Sequence, residues 1–184
     1  MTILVDRPRW LWRGERWSHL ASDADSDELH RFALRLGLRR LSFQGDHYDL
    51  PQPLLEPALA QGATLVDSRD LVRRLRDGGL RRRRPMGWDR RVRWQHGEPD
   101  SLDHRLSAAG VPATIRADIG ALAEIRATIV LRRPVEWGVG VTVRGAPDLA
   151  RLDPGPRRWV VVDDGGHHVD WFVPRRTDEV GGDS

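Results

Sequence analysis

The run Gly78-Gly79-Leu80-Arg81-Arg82-Arg83-Arg84-Pro85-Met86-Gly87 constrains the fold of this chain more than any other stretch. Glycine and proline resist regular structure, and four adjacent like charges repel and extend the backbone. A core is not expected to continue through such a segment, so the residues on either side have to bury their apolar surface separately. The chain has 184 residues, 39% of them hydrophobic, which is enough for two small cores. The expected organisation is a domain over 1–77, a linker over 78–87, a second domain over 88–176, and a frayed Gly- and Asp-rich tail over 177–184.

The two sides carry different periodicities. On the first side, short β-rich runs at 2–5, 17–21, 41–43 and 63–66 alternate with helical patterns, while 7–17 reads as an ordered loop. Leu29, Phe32, Ala33 and Leu36 fall at i, i+3, i+4 and i+7, behind a capping-box pair Asp25 and Glu28. A second helix is expected over 53–61, closed by Gly62. A third starts at a Ser68 cap, with Leu71, Val72 and Leu75 on one face. This alternation predicts an α/β domain with a small, mainly parallel sheet. Past the linker, helices are expected over 100–109 and within 117–126. Strands follow at 127–131, 137–143, 159–163 and 167–173, the last two joined at Gly165-Gly166. Strand following strand predicts a smaller α+β unit with antiparallel pairing.

Composition narrows the function classes. The sequence has no Cys, so disulfides, thiolate nucleophiles and thiolate metal sites are excluded. Every basic residue is Arg, 30 in all, yet the formal charge is only +3. Residues 1–85 carry 16 Arg against 12 acids (+4) and residues 86–184 carry 14 against 15 (−1), so any basic surface belongs to the first half. The N-terminus lacks the basic and apolar regions of a signal peptide, and no apolar run reaches membrane-spanning length. A soluble cytoplasmic protein without membrane partners is expected.

Chemistry concentrates in Phe43-Gln44-Gly45-Asp46-His47-Tyr48-Asp49. If strands one and three are parallel, this loop and Asp6 emerge together at the carboxyl edge of the sheet, joined by His19. The candidate catalytic set is therefore Asp6, His19, Asp46, His47, Tyr48 and Asp49. Within it Asp6, His19, Asp46 and His47, together with Asp49, can ligate a divalent metal, or His47 or His19, oriented by an Asp, can act as general base. Tyr48 and Gln44 can hydrogen-bond a substrate oxygen. A purely structural reading stands beside this one: Gly-Asp is ordinary turn chemistry, and Tyr48 suits a core. His30 is expected in solvent. Arg81, Arg82, Arg83 and Arg84, with Trp10 and Trp12, are candidates for an anion or nucleic-acid contact, against the alternative of a solvated connector. In the C-terminal hairpin a two-residue loop would set Asp164 opposite His167 and Asp163 opposite His168, as stabilising cross-strand pairs and not a metal site.

Ile3-Leu4-Val5-Asp6, Trp17-Ser18-His19-Leu20, Asp27-Glu28-Leu29-His30, Leu36-Gly37-Leu38, the Phe43–Asp49 motif, Gln61-Gly62-Ala63 and Ser68-Arg69-Asp70-Leu71-Val72 together resemble one family. It is the domain-of-unknown-function family four-zero-three-one, and the resemblance covers about residues 2–77. Arg7 departs from its pattern, in which a second acid follows the Asp matching Asp6. The resemblance implies a domain boundary and no reaction. Three functions remain open. One is a small metal-dependent hydrolase or phosphoesterase; the second is a nucleotide or nucleic-acid binding module; the third is a non-catalytic protein-interaction adaptor. The implied cofactor is a divalent metal, and the implied ligand a small molecule or nucleic acid.

Overall fold

The computed structural model describes residues 2–81, 88–133, 136–152, 157–163 and 166–174, and the chain divides into two compact units, 1–87 and 88–184. Among the described residues no helix is long and apolar enough to cross a membrane.

The first unit is built on a strand too long for any one neighbour. β3 (Glu15–Ser22) pairs antiparallel with β1 (Ile3–Asp6) through Val5–Leu20, and with β2 (Trp10–Trp12) through Trp10–Trp17. Its other edge takes β4 (Tyr48–Pro51), with Tyr48 beside Leu20 and Asp49 beside His19. β1 in turn pairs with β5 (Thr64–Val66), the one parallel ladder of this sheet. The sheet is therefore mixed and mostly antiparallel, which corrects the mainly parallel expectation. Residues 7–17 are not a loop: Arg13 and Gly14 both have positive φ (52° and 83°), as a two-residue hairpin turn demands, and they fold β2 back on β3.

Partners across a ladder lie on the same face of a sheet, so the register sorts the side chains. Ile3, Val5, Leu20, Tyr48 and Leu50 face α1 (Ser26–Arg35) and α2 (Leu55–Ala60), packing with Leu29, Phe32, Ala33 and Ala58. Leu4 and Ala21 face the other way, onto Leu71 and Leu75 of α3 (Ser68–Asp77). The result is three layers with two small cores. Leu4, Val5 and Leu20 are fully buried, each worth about 2 kcal/mol by area.

The capping chemistry is more specific than expected. The Asp25 carboxylate accepts from the Asp27 and Glu28 N–H groups, whereas Glu28 reaches the Ser22 hydroxyl and does not close a capping box. α3 is preceded by Asp67, without a side-chain cap, so Ser68 is its first helical residue and its hydroxyl is free for another task. Residues 40–42 form a 3₁₀ turn and not a strand, fixed by the Ser42 N–H and hydroxyl on the Arg39 carbonyl. At Gly78, which ends α3, any Cβ would collide with the Asp23 carbonyl oxygen. His30, expected in solvent, is 4% exposed and bonds the Tyr48 hydroxyl at 2.8 Å.

The second unit contains an antiparallel sheet in the order β6-β7-β8-β10-β9. These strands are β6 (Asp89–Gln95), β7 (Ile125–Arg133), β8 (Glu136–Val143), β9 (Arg157–Asp163) and β10 (Gly166–Pro174). β6 carries only Val92 and Trp94 between polar residues, too little alternation to be read beforehand. α4 (Leu102–Ala108) and α5 (Ala113–Gly120), the latter lying earlier than expected, pack Leu106, Ile115 and Ile119 on Val130, Val139, Val141 and Trp171. The buried Trp171 Nε1 donates to the Asp118 carboxylate at 3.1 Å.

Candidate functional site

β1 leaves its ladder at Asp6, because Pro8 cannot donate a hydrogen bond and the chain only returns when the Arg9 N–H reaches the Trp17 carbonyl. That interruption would orphan the His19 N–H in the middle of β3. The Asp6 side chain fills the gap: its Oδ1 accepts the His19 N–H at 2.6 Å. Its Oδ2 accepts from His19 Nδ1 at 2.9 Å and from the Ser68 hydroxyl at 2.6 Å. The parallel pairing of β5 with β1 explains the last contact, since Ser68 follows two residues after Val66, the partner of Asp6. Burial opposes ionisation of Asp6. The bonds from His19 and Ser68 outweigh it and hold the carboxyl below its ordinary range. With Asp6 ionised, this contact places a proton on His19 Nδ1.

One step beyond the Val5–Leu20 pair, Asp6, His19 and Asp49 occupy one row across β1, β3 and β4, on the α3 face. The motif loop brings His47 to them. Gln44 N–H donates to the His47 carbonyl at 2.8 Å, Gly45 has φ of 107°, and Phe43 bridges Tyr48, so the motif is a tight turn leading into β4. Asp46, buried, takes His47 Nδ1 at 2.5 Å on one oxygen and Arg81 at 3.1 Å on the other. His47 Nε2 lies 3.6 Å from Asp49. The two imidazoles meet edge to face at 5.0 Å, and Trp10 lies over His19 at 4.5 Å.

Electrostatics at this point favour a cation. Burial alone would lower the His47 pKa; the hydrogen bonds and charges of Asp46 and Asp49 overcome it and raise the pKa to about 9. Asp46 is likewise held below its ordinary range by His47 and Arg81, against the opposing effect of burial. At neutral pH His47 is therefore an imidazolium. One potential ligand atom each from His19, His47 and Asp49 lies within 4.8 Å of the others, a spacing that can enclose an ion.

The expected set is thus rearranged. Asp6 and Asp46 have both carboxylate oxygens engaged and act as positioning groups, each fixing one imidazole. Asp49, expected both in the catalytic set and as a possible ligand, supplies the carboxylate that lies near His19 and His47. Tyr48 lies away from this row, because alternation along β4 turns it into the helix-facing core, fully buried against His30 and Phe43. Arg81 is tied to Asp46 and is not a free anion contact, while Arg82, Arg83 and Arg84 lie outside the described residues. Ser68 was missed as a site neighbour, and Trp10, expected in an anion or nucleic-acid contact, lies over His19. Ser68 carried one signal, a hydroxyl directly after a strand parallel to the one ending at Asp6.

Residues 3–78 match the DUF4031 family. It is described as a protein of unknown function, so the match delimits a region and brings no activity. Asp6, His19, the motif and Ser68 all lie inside the DUF4031 match, Arg81 lies beyond its end, and the second unit is outside it. Neither a curated protein nor a solved structure matches the chain.

In the second unit, Asp164 lies outside the described residues, and Asp163 is not opposite His168. The hairpin is two positions out of the expected register: Gly166 pairs with Asp163, so His167 faces Val162 and His168 faces Val161. His168 meets Thr142 Oγ1 at 3.0 Å instead.

Proposed function

We propose that the first unit is a divalent-metal-dependent phosphoester hydrolase whose ion is held by His19, His47 and Asp49. The observation that carries this reading is the convergence of three ligand atoms within 4.8 Å while Asp6 and Asp46 hold the Nδ1 of each imidazole. Carboxylates placed behind metal-binding histidines fix the tautomer and raise ligand basicity, which is the role Asp6 and Asp46 fit. Two imidazoles and one carboxylate, without thiolate, suit Zn²⁺ or Mn²⁺ and leave positions for water and a substrate oxygen. A divalent ion held by His19, His47 and Asp49 would supply a bound water acidified to a pKa of about 7 and would polarise a phosphoryl oxygen, the chemistry that hydrolysis of a phosphoester by water requires. An anionic substrate is supported by a cavity of about 560 Å³ lined by Arg9, Arg69 and Arg73 with Asp67 and Asp70, on residues adjoining Ser68 and the β1–β2 connection.

The test is calorimetric titration of the EDTA-stripped full chain with Zn²⁺ and Mn²⁺, followed by hydrolysis of an activated phosphodiester. A single tight site that disappears in His47→Ala, with metal-dependent turnover, is the expected result. Absence of heat and of any thermal shift with either ion overturns the proposal.

A further inference from the structure

The β2–β3 hairpin has no role in holding the triad beyond Trp10, yet it presents an unusual surface. Trp10, Trp12 and Trp17 share one face of the ribbon, since Trp10 pairs with Trp17 and Trp12 with Glu15, and alternation along β3 puts His19 on that face too. An aromatic strip therefore runs outward from the triad: Trp10 over His19 at 4.5 Å, then Trp17, then Trp12 against Trp17 at 5.3 Å. Its outer end is open to solvent, with Trp12 51% exposed, while Leu11, 70% exposed, lies with Arg16 on the ribbon's other face. An indole at such exposure contributes little to a core, and as the end of a contiguous aromatic strip it marks a binding surface.

Charge identifies the occupant. Residues 7–16 contain Arg7, Arg9, Arg13 and Arg16 against a single acid, Glu15. Arg7, Arg13 and Arg16 are exposed and have no ion-pair partner among the described residues, and Arg13 lies 4.5 Å over the Trp12 ring. Arg interleaved with one exposed and two half-buried indoles along a ribbon is a combination that tracks a phosphate backbone while bases stack on aromatic faces. A stacked duplex cannot offer its base faces to Trp12; a single strand can.

We propose that the hairpin binds single-stranded nucleic acid and leads its phosphodiesters to the His19–His47–Asp49 triad. Delivery to a metal rests on the hydrolase reading above, while the binding itself does not. Binding is therefore measured in EDTA, by fluorescence anisotropy of the full chain with a labelled oligo-dT and the same strand annealed to its complement. The single strand is expected to bind more tightly than the duplex, and affinity is expected to fall with salt, as phosphate contacts require. Trp12→Ala, which leaves the Trp12 carbonyl in place to accept Trp17 Nε1, is expected to weaken binding about tenfold, consistent with loss of one stacked base. Arg13→Gln with Arg16→Gln is expected to flatten the salt dependence. The proposal is overturned by no binding up to about 100 μM at low salt, the weak end of non-specific affinity. Equal affinity of Trp12→Ala with unchanged circular dichroism, or a preference for duplex, overturns it too. Metal uptake without oligonucleotide binding sinks this proposal alone; oligonucleotide binding by a protein that takes up no ion sinks only the hydrolase.

Discussion

Each unit of this protein holds histidines and aspartates close together in sequence, and among the described residues only the first brings three potential ligand atoms from such residues within 4.8 Å of one another. In the second unit His167 and His168 are neighbours on β10, so the pleat sends them to opposite faces, where they meet Val162 and Val161 across the ladder. In the first unit the partners are distant in sequence, Asp6, His19 and Asp49, but they share one row over three strands. A turn adds His47 to the same face. Density along the chain is therefore a poor guide to convergence, and register is a good one. The contrast also extends to what lies behind each imidazole. His19 and His47 each have a buried carboxylate at Nδ1, whereas His168 has the Thr142 hydroxyl.

Substitution of the histidines is the strongest way to break this contrast. His47→Ala and His19→Ala are each expected to abolish detectable Zn²⁺ or Mn²⁺ binding in calorimetry. His168→Ala is expected to leave it unchanged, and metal loss in His168→Ala would place the site in the wrong unit. Next in size is stability. Asp46→Ala leaves the buried His47 imidazolium with Asp49 alone and takes away the partner of Arg81. A loss of about 3 kcal/mol is expected in urea unfolding followed by a probe of the first unit. Asp6→Asn keeps the packing but cannot hold the His19 tautomer as firmly. Metal affinity should drop by about 10–100-fold, with the fold retained by circular dichroism.

The acid–base behaviour of the triad offers a finer comparison. The His47 pKa is raised from 6.5 to about 9 in the folded state. Its stabilising contribution is therefore complete below pH 6.5 and is lost as pH rises through about 9. Asp6 and Asp46 are shifted downward, so theirs is present above their ordinary value of 3.8 and is lost as pH falls through the folded values. An ion has to displace the His47 proton. Apparent metal affinity is expected to rise about tenfold per pH unit between 7 and 8.5, with proton release visible as a buffer-dependent heat. NMR titration of the ring carbons checks the underlying pKa, and a His47 midpoint near 6.5 would contradict it. The smallest effect belongs to the second unit: Trp171→Phe removes one donor from the buried Asp118 and is expected to cost about 1 kcal/mol without touching metal binding.

How much of this was legible beforehand depended on whether the signal was local. The motif announced itself through its composition, and α1 through its period and cap. The sheet direction misled, because helices between strands were taken as parallel crossovers. In fact β3 turns straight back from β2, so β1 and β4, which both run against it, can flank it only as antiparallel partners. The fate of Tyr48 turned on parity: β4 begins at that residue, and a start one position away would have exchanged Tyr48 for Asp49 at the triad. The Arg13-Gly14 turn escaped notice because Arg is an unusual residue at positive φ. Ser68 and Arg81 depended on contacts over 62 and 35 positions, which no local pattern encodes.

The Asp46–Arg81 pair has a practical consequence for where this chain can be cut. The family match ends at residue 78, and the Gly78-Gly79 step looks like a natural end point for an isolated first half. Cutting there would discard the guanidinium that occupies the second oxygen of Asp46. The aspartate that steadies His47 would then keep a single partner, and the excised fragment would carry every residue of the triad while holding one of them less firmly. A fragment extended through residue 81 preserves the arrangement.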